Sequence, residues 1–154
     1  MRIYSPLDIS VNANIRFYPV KFPSKTYDLA QFFAALSDPT RLRLLNLMDE
    51  REVCVCYFVE ILGQSQPKIS RHLAYLRRAG IVAARREGKW MHYKIAPPPH
   101  EGAARILRDT LSTLREEKGM KADRSRLEKS CCAPRKTGSL EGAPLPMLVG
   151  ASLR

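Results

Sequence analysis

The feature that most limits how this chain can fold is a change of hydrophobic period at Gly80. Over residues 65–79 the apolar positions Ile69, Leu73, Leu76 and Ala79 recur at helical spacing. Ser65 is suited to cap that helix, Pro67 lies in its first turn and Gly80 falls just past its end. Beyond Gly80 the period drops to two. Residues 81–86 and 90–95 read as short strands around Glu87-Gly88-Lys89, a hairpin, and Pro97-Pro98-Pro99 stops the second strand.

Three helices are expected before this unit. Leu29, Phe32, Phe33 and Leu36 recur at i, i+3, i+4 and i+7 in a stretch that starts at Thr26 and ends near Ser37. Asp38 caps the second helix, with Pro39 at its first position and Leu42, Leu45 and Met48 as its buried stripe. A third begins near Glu52, carries Val55, Phe58, Val59 and Leu62 on one face, and closes at Gly63. After the hairpin, a last helix runs from His100 to Lys118 on Ala104, Leu107, Leu111 and Leu114. The order defines a mainly α fold with a small β-hairpin, a winged helix–turn–helix. Residues 26–118 form the domain. Residues 1–25, with Pro6, Pro19 and Pro23, read as an arm, and 119–154 as a flexible tail with a short helix around 122–129.

The net charge of +11 is unevenly placed. Residues 64–94 carry Lys68, Arg71, Arg77, Arg78, Arg85, Arg86, Lys89 and Lys94 against Glu87 alone, while 95–118 balance. A surplus focused on one helix and one hairpin suits a phosphate-lined groove, and double-stranded DNA is the expected partner. In a helix–turn–helix the second helix enters the major groove. Gln66, Lys68, Ser70 and Arg71 stand near its start as candidate base readers, with His72, Tyr75 and Arg78 along the outward face and Arg85, Arg86 and Lys89 on the wing. The basic segment lacks the apolar face of a membrane-surface helix. No run of about 18 apolar residues and no secretory core near Met1 is present, so a cytoplasmic protein without a membrane partner is expected.

The run from Ser65 to Val82, Ser-Gln-Pro-Lys-Ile-Ser-Arg-His-Leu-Ala-Tyr-Leu-Arg-Arg-Ala-Gly-Ile-Val, resembles the reading-helix motif of ArsR/SmtB repressors. The resemblance covers about residues 26–118. It implies a homodimer, built largely from the first and last helices, on an imperfect inverted repeat that is released when a ligand binds. Glu52-Val53-Cys54-Val55-Cys56 is similar to the Cys-Val-Cys box of the arsenic-responsive members. That similarity implies Cys54 and Cys56 as ligands for trivalent arsenic or antimony as inducer, with no permanent cofactor; soft thiolates select soft ions. With the third helix starting near Glu52, its residues i and i+2 point about 200° apart, so Cys54 and Cys56 are not expected to grip one small ion on the intact helix. Binding one ion would then require its first turn to unwind, and a helix start also favours the thiolate.

One position departs from the pattern: the third cysteine of the box is replaced by Val59. Two sulfurs suffice for a methylated arsenical. Otherwise Cys131 or Cys132 is the candidate to complete the site, since an extended chain spans up to about 3.3–3.6 Å per residue and the tail would reach. Some members bind arsenic through a C-terminal Cys-Cys pair with a further cysteine downstream, and none follows Cys132. A zinc site on the last helix is not expected: Asp109 and Glu116 have no partner histidine after His100. Of the other histidines, His72 fits packing or a phosphate contact, and His92 shares a wing face with Trp90 and Lys94. Two alternatives remain. The same cysteines could serve a thiol redox-sensing repressor. A thiol–disulfide enzyme would need its pair at a helix start after a strand, whereas 30–50 read as helical. With no phosphate loop, carboxylate pair or Ser/His/Asp set, a non-enzyme is expected.

Overall fold

A computed structural model describes residues 27–132 and 140–149; of Cys132 only the backbone is described. The expected arm at 1–25 lies outside the described residues. Helix α1, Leu29–Leu36, is capped by Asp28, and α2, Pro39–Met48, by Asp38 with Pro39 at its first position. Helix α3 is Val55–Leu62, closed by Gly63 in the left-handed conformation (φ 62°), and α4 is Gln66–Arg78 after Ser65. Strands β2, Val82–Glu87, and β3, Trp90–Ile95, pair antiparallel around a two-residue turn with Gly88 at φ 57°. A positive φ at the first turn residue matches the twist of the strands. Helix α5, Glu101–Glu116, follows, with the His100 Nδ1 accepting the Ala103 N–H, so this histidine is a cap.

The fold closes around α2. Leu44, Leu45, Leu47 and Met48 are buried and meet Phe32 of α1, Tyr57 and Phe58 of α3, Ile69, Leu73 and Leu76 of α4, and Leu107 of α5. Three expected stripes are adjusted. Leu42 is only partly buried, and in α1 Phe32 and Ala35 face inward while Leu29 and Phe33 stay exposed. On α5 it is Ala103 rather than Ala104 that is buried. Among the described residues no helix is long and apolar enough to cross a membrane.

Two departures are larger. The third helix does not begin at Glu52: Arg51–Cys54 is a strand, β1, paired antiparallel with β3. Asp49 ends α2 in an extended conformation and Glu50 takes φ 60°, which turns the chain into the sheet before α3 can start. The expected flexible tail is also ordered in part. Lys118–Cys132 is a helix, α6, packed on α2, α3 and α5, and Met147–Leu148 is a strand, β4, giving the sheet order β2-β3-β1-β4. What holds α6 is polar. Asp123 is buried and receives Arg43 Nε at 2.6 Å and Nη2 at 2.9 Å, and Asn46 donates to the Met120 carbonyl at 3.0 Å. Among the described residues of α6, Leu127 is the fully buried apolar side chain.

Candidate metalloid site and nucleic-acid interface

The thiol pair sits where β1 becomes α3. Cys54 is the last strand residue and the helix N-cap (φ −69°, ψ 143°), so its side chain is not bound by helical geometry. Cys56, one residue into the helix's first turn, comes back to it, and its thiol donates to the Cys54 Sγ at 2.8 Å. Both are buried. This corrects the expectation that the first turn must unwind: the two sulfurs already face one another because only one of them belongs to the helix. The Cys56 hydrogen bond brings Cys54 down to about 7 against the pull of burial, and the Cys56 and Val55 backbone N–H groups assist. The same bond, with burial and the Cys54 charge, pushes Cys56 up. The first proton of the pair is therefore lost from Cys54 in the neutral range, while Cys56 keeps its own.

The donor set suits a thiophilic ion with two soft sulfurs, one of them ready to ionise. Among the described residues no group of three Cys, His, Asp or Glu side chains is gathered in metal-binding geometry. Cys131 is half-buried at the end of α6, and the Cys132 side chain lies outside the described residues. Because 118–131 is helical, it advances only about 1.5 Å per residue, and the extended-chain reach does not apply.

Helix α3 packs on α4, which bears the basic face. Gln66, Lys68, Arg71 and Arg78 are exposed, with Ser70, His72 and Tyr75 half-buried beside them. Lys68, Arg71, His72, Tyr75 and Arg78 line an open cavity of about 530 Å³ together with Ala74 and Arg41. Arg41 was not foreseen. It donates to the Ala35 carbonyl at 2.8 Å and the Ala34 carbonyl at 2.7 Å, closing α1, and lies 4.4 Å over the Tyr75 ring, which Arg78 also approaches at 5.5 Å. Burial lowers the pKa of His72, Asp38 opposes this at 3.5 Å, and Arg41, Lys68 and Arg71 add to the lowering. Tyr27 was also missed: its hydroxyl donates to the Ala79 carbonyl at 2.6 Å, at the end of the reading helix, while its ring stacks on His100. No periodicity signals either residue, since both bind backbone carbonyls.

On the wing, Arg86 donates to the Gly88 carbonyl and Lys89 lies 4.8 Å over Trp90 at the tip. Arg85 is held by carboxylates, with Nε 2.6 Å from Glu52 and Nη1 2.6 Å from Glu87. His92 is buried rather than ranged along an open face with Lys94.

A basic helix–turn–helix flanked by a β-wing defines a DNA-binding transcriptional regulator. Residues 38–84 match the bacterial regulatory protein, arsR family. The arsenical resistance operon repressor of Escherichia coli K12 is 49% identical over 78 residues, 50% of this chain and 67% of that protein. The arsenic resistance transcriptional regulator ArsR1 of Pseudomonas putida is 52% identical over 66 residues, 42% of this chain and 52% of that protein. The solved structure of HlyU from Vibrio cholerae is similar with a TM-score of 0.49 and 25% identity, over 55% of this chain and 89% of that one. The chain belongs to the arsR family of bacterial regulatory proteins, whose members are transcriptional repressors and not enzymes.

Proposed function

We propose that this protein is a homodimeric repressor that binds an imperfect inverted repeat of double-stranded DNA and leaves it when Cys54 and Cys56 take trivalent arsenic or antimony. Arsenite, antimonite and methylated arsenicals are the inducer class. The observation that carries the reading is the buried pair of sulfurs 2.8 Å apart at the start of the helix that packs on α4. Two of the relatives described above act in arsenical and arsenic resistance, which supports it. In this reading Gln66, Lys68, Ser70 and Arg71 face base edges, and His72, Tyr75, Arg78, Arg86 and Lys89 line the phosphates. Leu29 and Phe33 of α1 and Ile106 of α5, exposed by 38%, 51% and 37%, support a dimer formed through those two helices. The domain then extends past residue 118 to include α6 and β4.

A second reading is favoured by the same proximity: oxidation of the two thiols by an added oxidant to a disulfide, with loss of DNA. One experiment separates them. Fluorescence anisotropy of the reduced full chain on its upstream promoter DNA is followed as arsenite, zinc and hydrogen peroxide are added in turn. Release by arsenite, lost in Cys54→Ser and Cys56→Ser variants that still bind DNA, is the expected result. Release by peroxide alone establishes the redox reading, and release of Cys54→Ser by arsenite refutes the assignment of the site.

A further inference from the structure

Beside the thiol pair lies a buried polar cluster that neither the reading face nor the sulfur chemistry uses. Cys54 of β1 is the cross-strand partner of His92 of β3, and His92 is in turn the partner of Arg85 of β2. Directly paired residues project from one face of an antiparallel sheet. A single transverse row thus runs from thiol to imidazole to guanidinium. Glu52, two residues before Cys54, is on the same face. Its carboxylate takes Arg85 Nε at 2.6 Å and Nη2 at 2.5 Å and stands 3.8 Å from His92 Nδ1. Glu87 takes Arg85 Nη1 at 2.6 Å and stands 3.8 Å from His92 Nε2, an atom that is buried without a hydrogen-bond partner.

The arrangement has a physical consequence. Glu52 is 6% exposed and His92 2%, whereas Glu87 is open to solvent. A buried carboxylate stripped of its counter-charge is strongly disfavoured, so Glu52 and Arg85 must move together. The same bonds turn the Arg85 guanidinium toward β1. Of the wing cations, it is the one whose availability to a phosphate is decided by a residue outside the wing.

We infer that Glu52 is a positioning residue that couples the thiol strand to the wing: through Arg85 and His92 it sets what the wing presents to DNA. The inference rests on reading Cys54 and Cys56 as the sensing pair. A ligand that repositions Cys54 shifts β1 against β3. The carboxylate two residues away carries that shift to β2, so the response reaches the wing as well as the reading helix.

The test is Glu52→Gln in the full chain, which keeps size and one acceptor oxygen and removes the charge. Arg85, left with a neutral amide oxygen and the exposed Glu87, loses its buried counter-charge and becomes available to a phosphate. Without any ligand, the slope of log affinity against log salt is expected to steepen by about one. Arsenite uptake, followed by thiolate-to-arsenic absorbance, stays at wild-type stoichiometry. The factor by which arsenite weakens DNA binding falls at least about fivefold, the lower end of ordinary coupling between sites. A folded variant with wild-type slope and wild-type release factor overturns the coupling. Should the variant not fold, amide hydrogen exchange of the DNA-free wild type with and without arsenite decides: altered exchange over 82–95 supports the coupling, and change confined to 51–78 overturns it. Wild-type protein that takes up no arsenite overturns the metalloid reading and the coupling with it. Normal wild-type release matched by the variant overturns the coupling alone.

Discussion

Replacing Asp123 by alanine tests whether the C-terminal helix is a structural part of the domain. The carboxylate is 1% exposed and accepts two bonds from Arg43, at 2.6 and 2.9 Å, and one from Arg126. Removing one partner of a fully buried ion pair costs about 3–5 kcal/mol. Arg43 is 31% exposed and regains part of its hydration when unpaired, which brings the expected loss to about 2–3 kcal/mol. For a domain of this size that lowers Tm by roughly 6–15 °C. The assay is thermal unfolding of the reduced protein by circular dichroism at fixed protomer concentration, because the Tm of the proposed dimer would depend on it. The pH dependence adds a second check. Burial alone would raise the pKa of Asp123, but the bonds from Arg43 and Arg126 outweigh it and hold the group below its ordinary 3.8. The folded value lies under the unfolded one, so the stabilisation is full above 3.8 and is lost as pH falls through the folded value. The gap between wild type and variant should persist from about pH 7 to about pH 5 and close only below about pH 4. A Tm within about 2 °C of wild type at neutral pH would refute the argument that this pair pins α6 to α2.

Four further expectations follow from the site. Ultraviolet thiolate absorbance of the reduced protein with Cys131 and Cys132 replaced by serine should show one ionisation near pH 7 that disappears when Cys54→Ser is added, with Cys56 ionising only at far higher pH; two ionisations close together in that background would contradict a shared hydrogen bond. Arg78→Ala and Lys89→Ala, which remove cations lining the phosphates, should each flatten the salt dependence of DNA binding by about one unit. Arg71→Ala, which removes a base reader, should lose about 1–3 kcal/mol on the operator and little on unrelated DNA; an equal loss on both would refute that role. Tyr27→Phe removes the 2.6 Å bond to the Ala79 carbonyl and should cost about 1 kcal/mol of stability; an unchanged thermal midpoint would show that the hydroxyl does not help hold the reading helix.

What the sequence disclosed and what it hid have separate physical causes. Asp38 with Pro39, Gly63, and the handover at Gly80 are local signals whose geometry depends on few neighbours, and each falls where expected. The basic face of α4 is legible because its periodicity and its charge point the same way. Helix α6 is nearly invisible to a hydrophobic count: its inward side is Asp123 and Leu127, with the Met120 carbonyl meeting Asn46, so a buried salt bridge stands where periodicity looks for leucines. Strand β1 is four residues long and begins after Glu50, a left-handed position with no glycine to announce it. Its partners, β3 and β4, arrive from about 40 and about 95 residues further along, a pairing that no local pattern contains.

The misplaced start of α3 changes the mechanism and not only the map. Were Cys54 and Cys56 both helical, a ligand would spend binding energy on unwinding a turn, and that distortion would itself be the signal to α4. With Cys54 in the sheet and Cys56 in the helix, the sulfurs meet without unwinding, and preorganisation of this kind spares the binding step its ordering cost. Under the proposed sensing role, a site that needs little rearrangement to bind would signal through a relative displacement of the two elements it joins. Here those elements are β1, paired to the wing through Val53↔Tyr93 and Cys54↔His92, and α3, packed on the reading helix. A ligand drawing the two sulfurs to its own spacing therefore works against both DNA-facing parts of the fold at once. For that reason the charged link at Glu52, rather than the helical turn, is where the response should be most easily broken without disturbing the thiols.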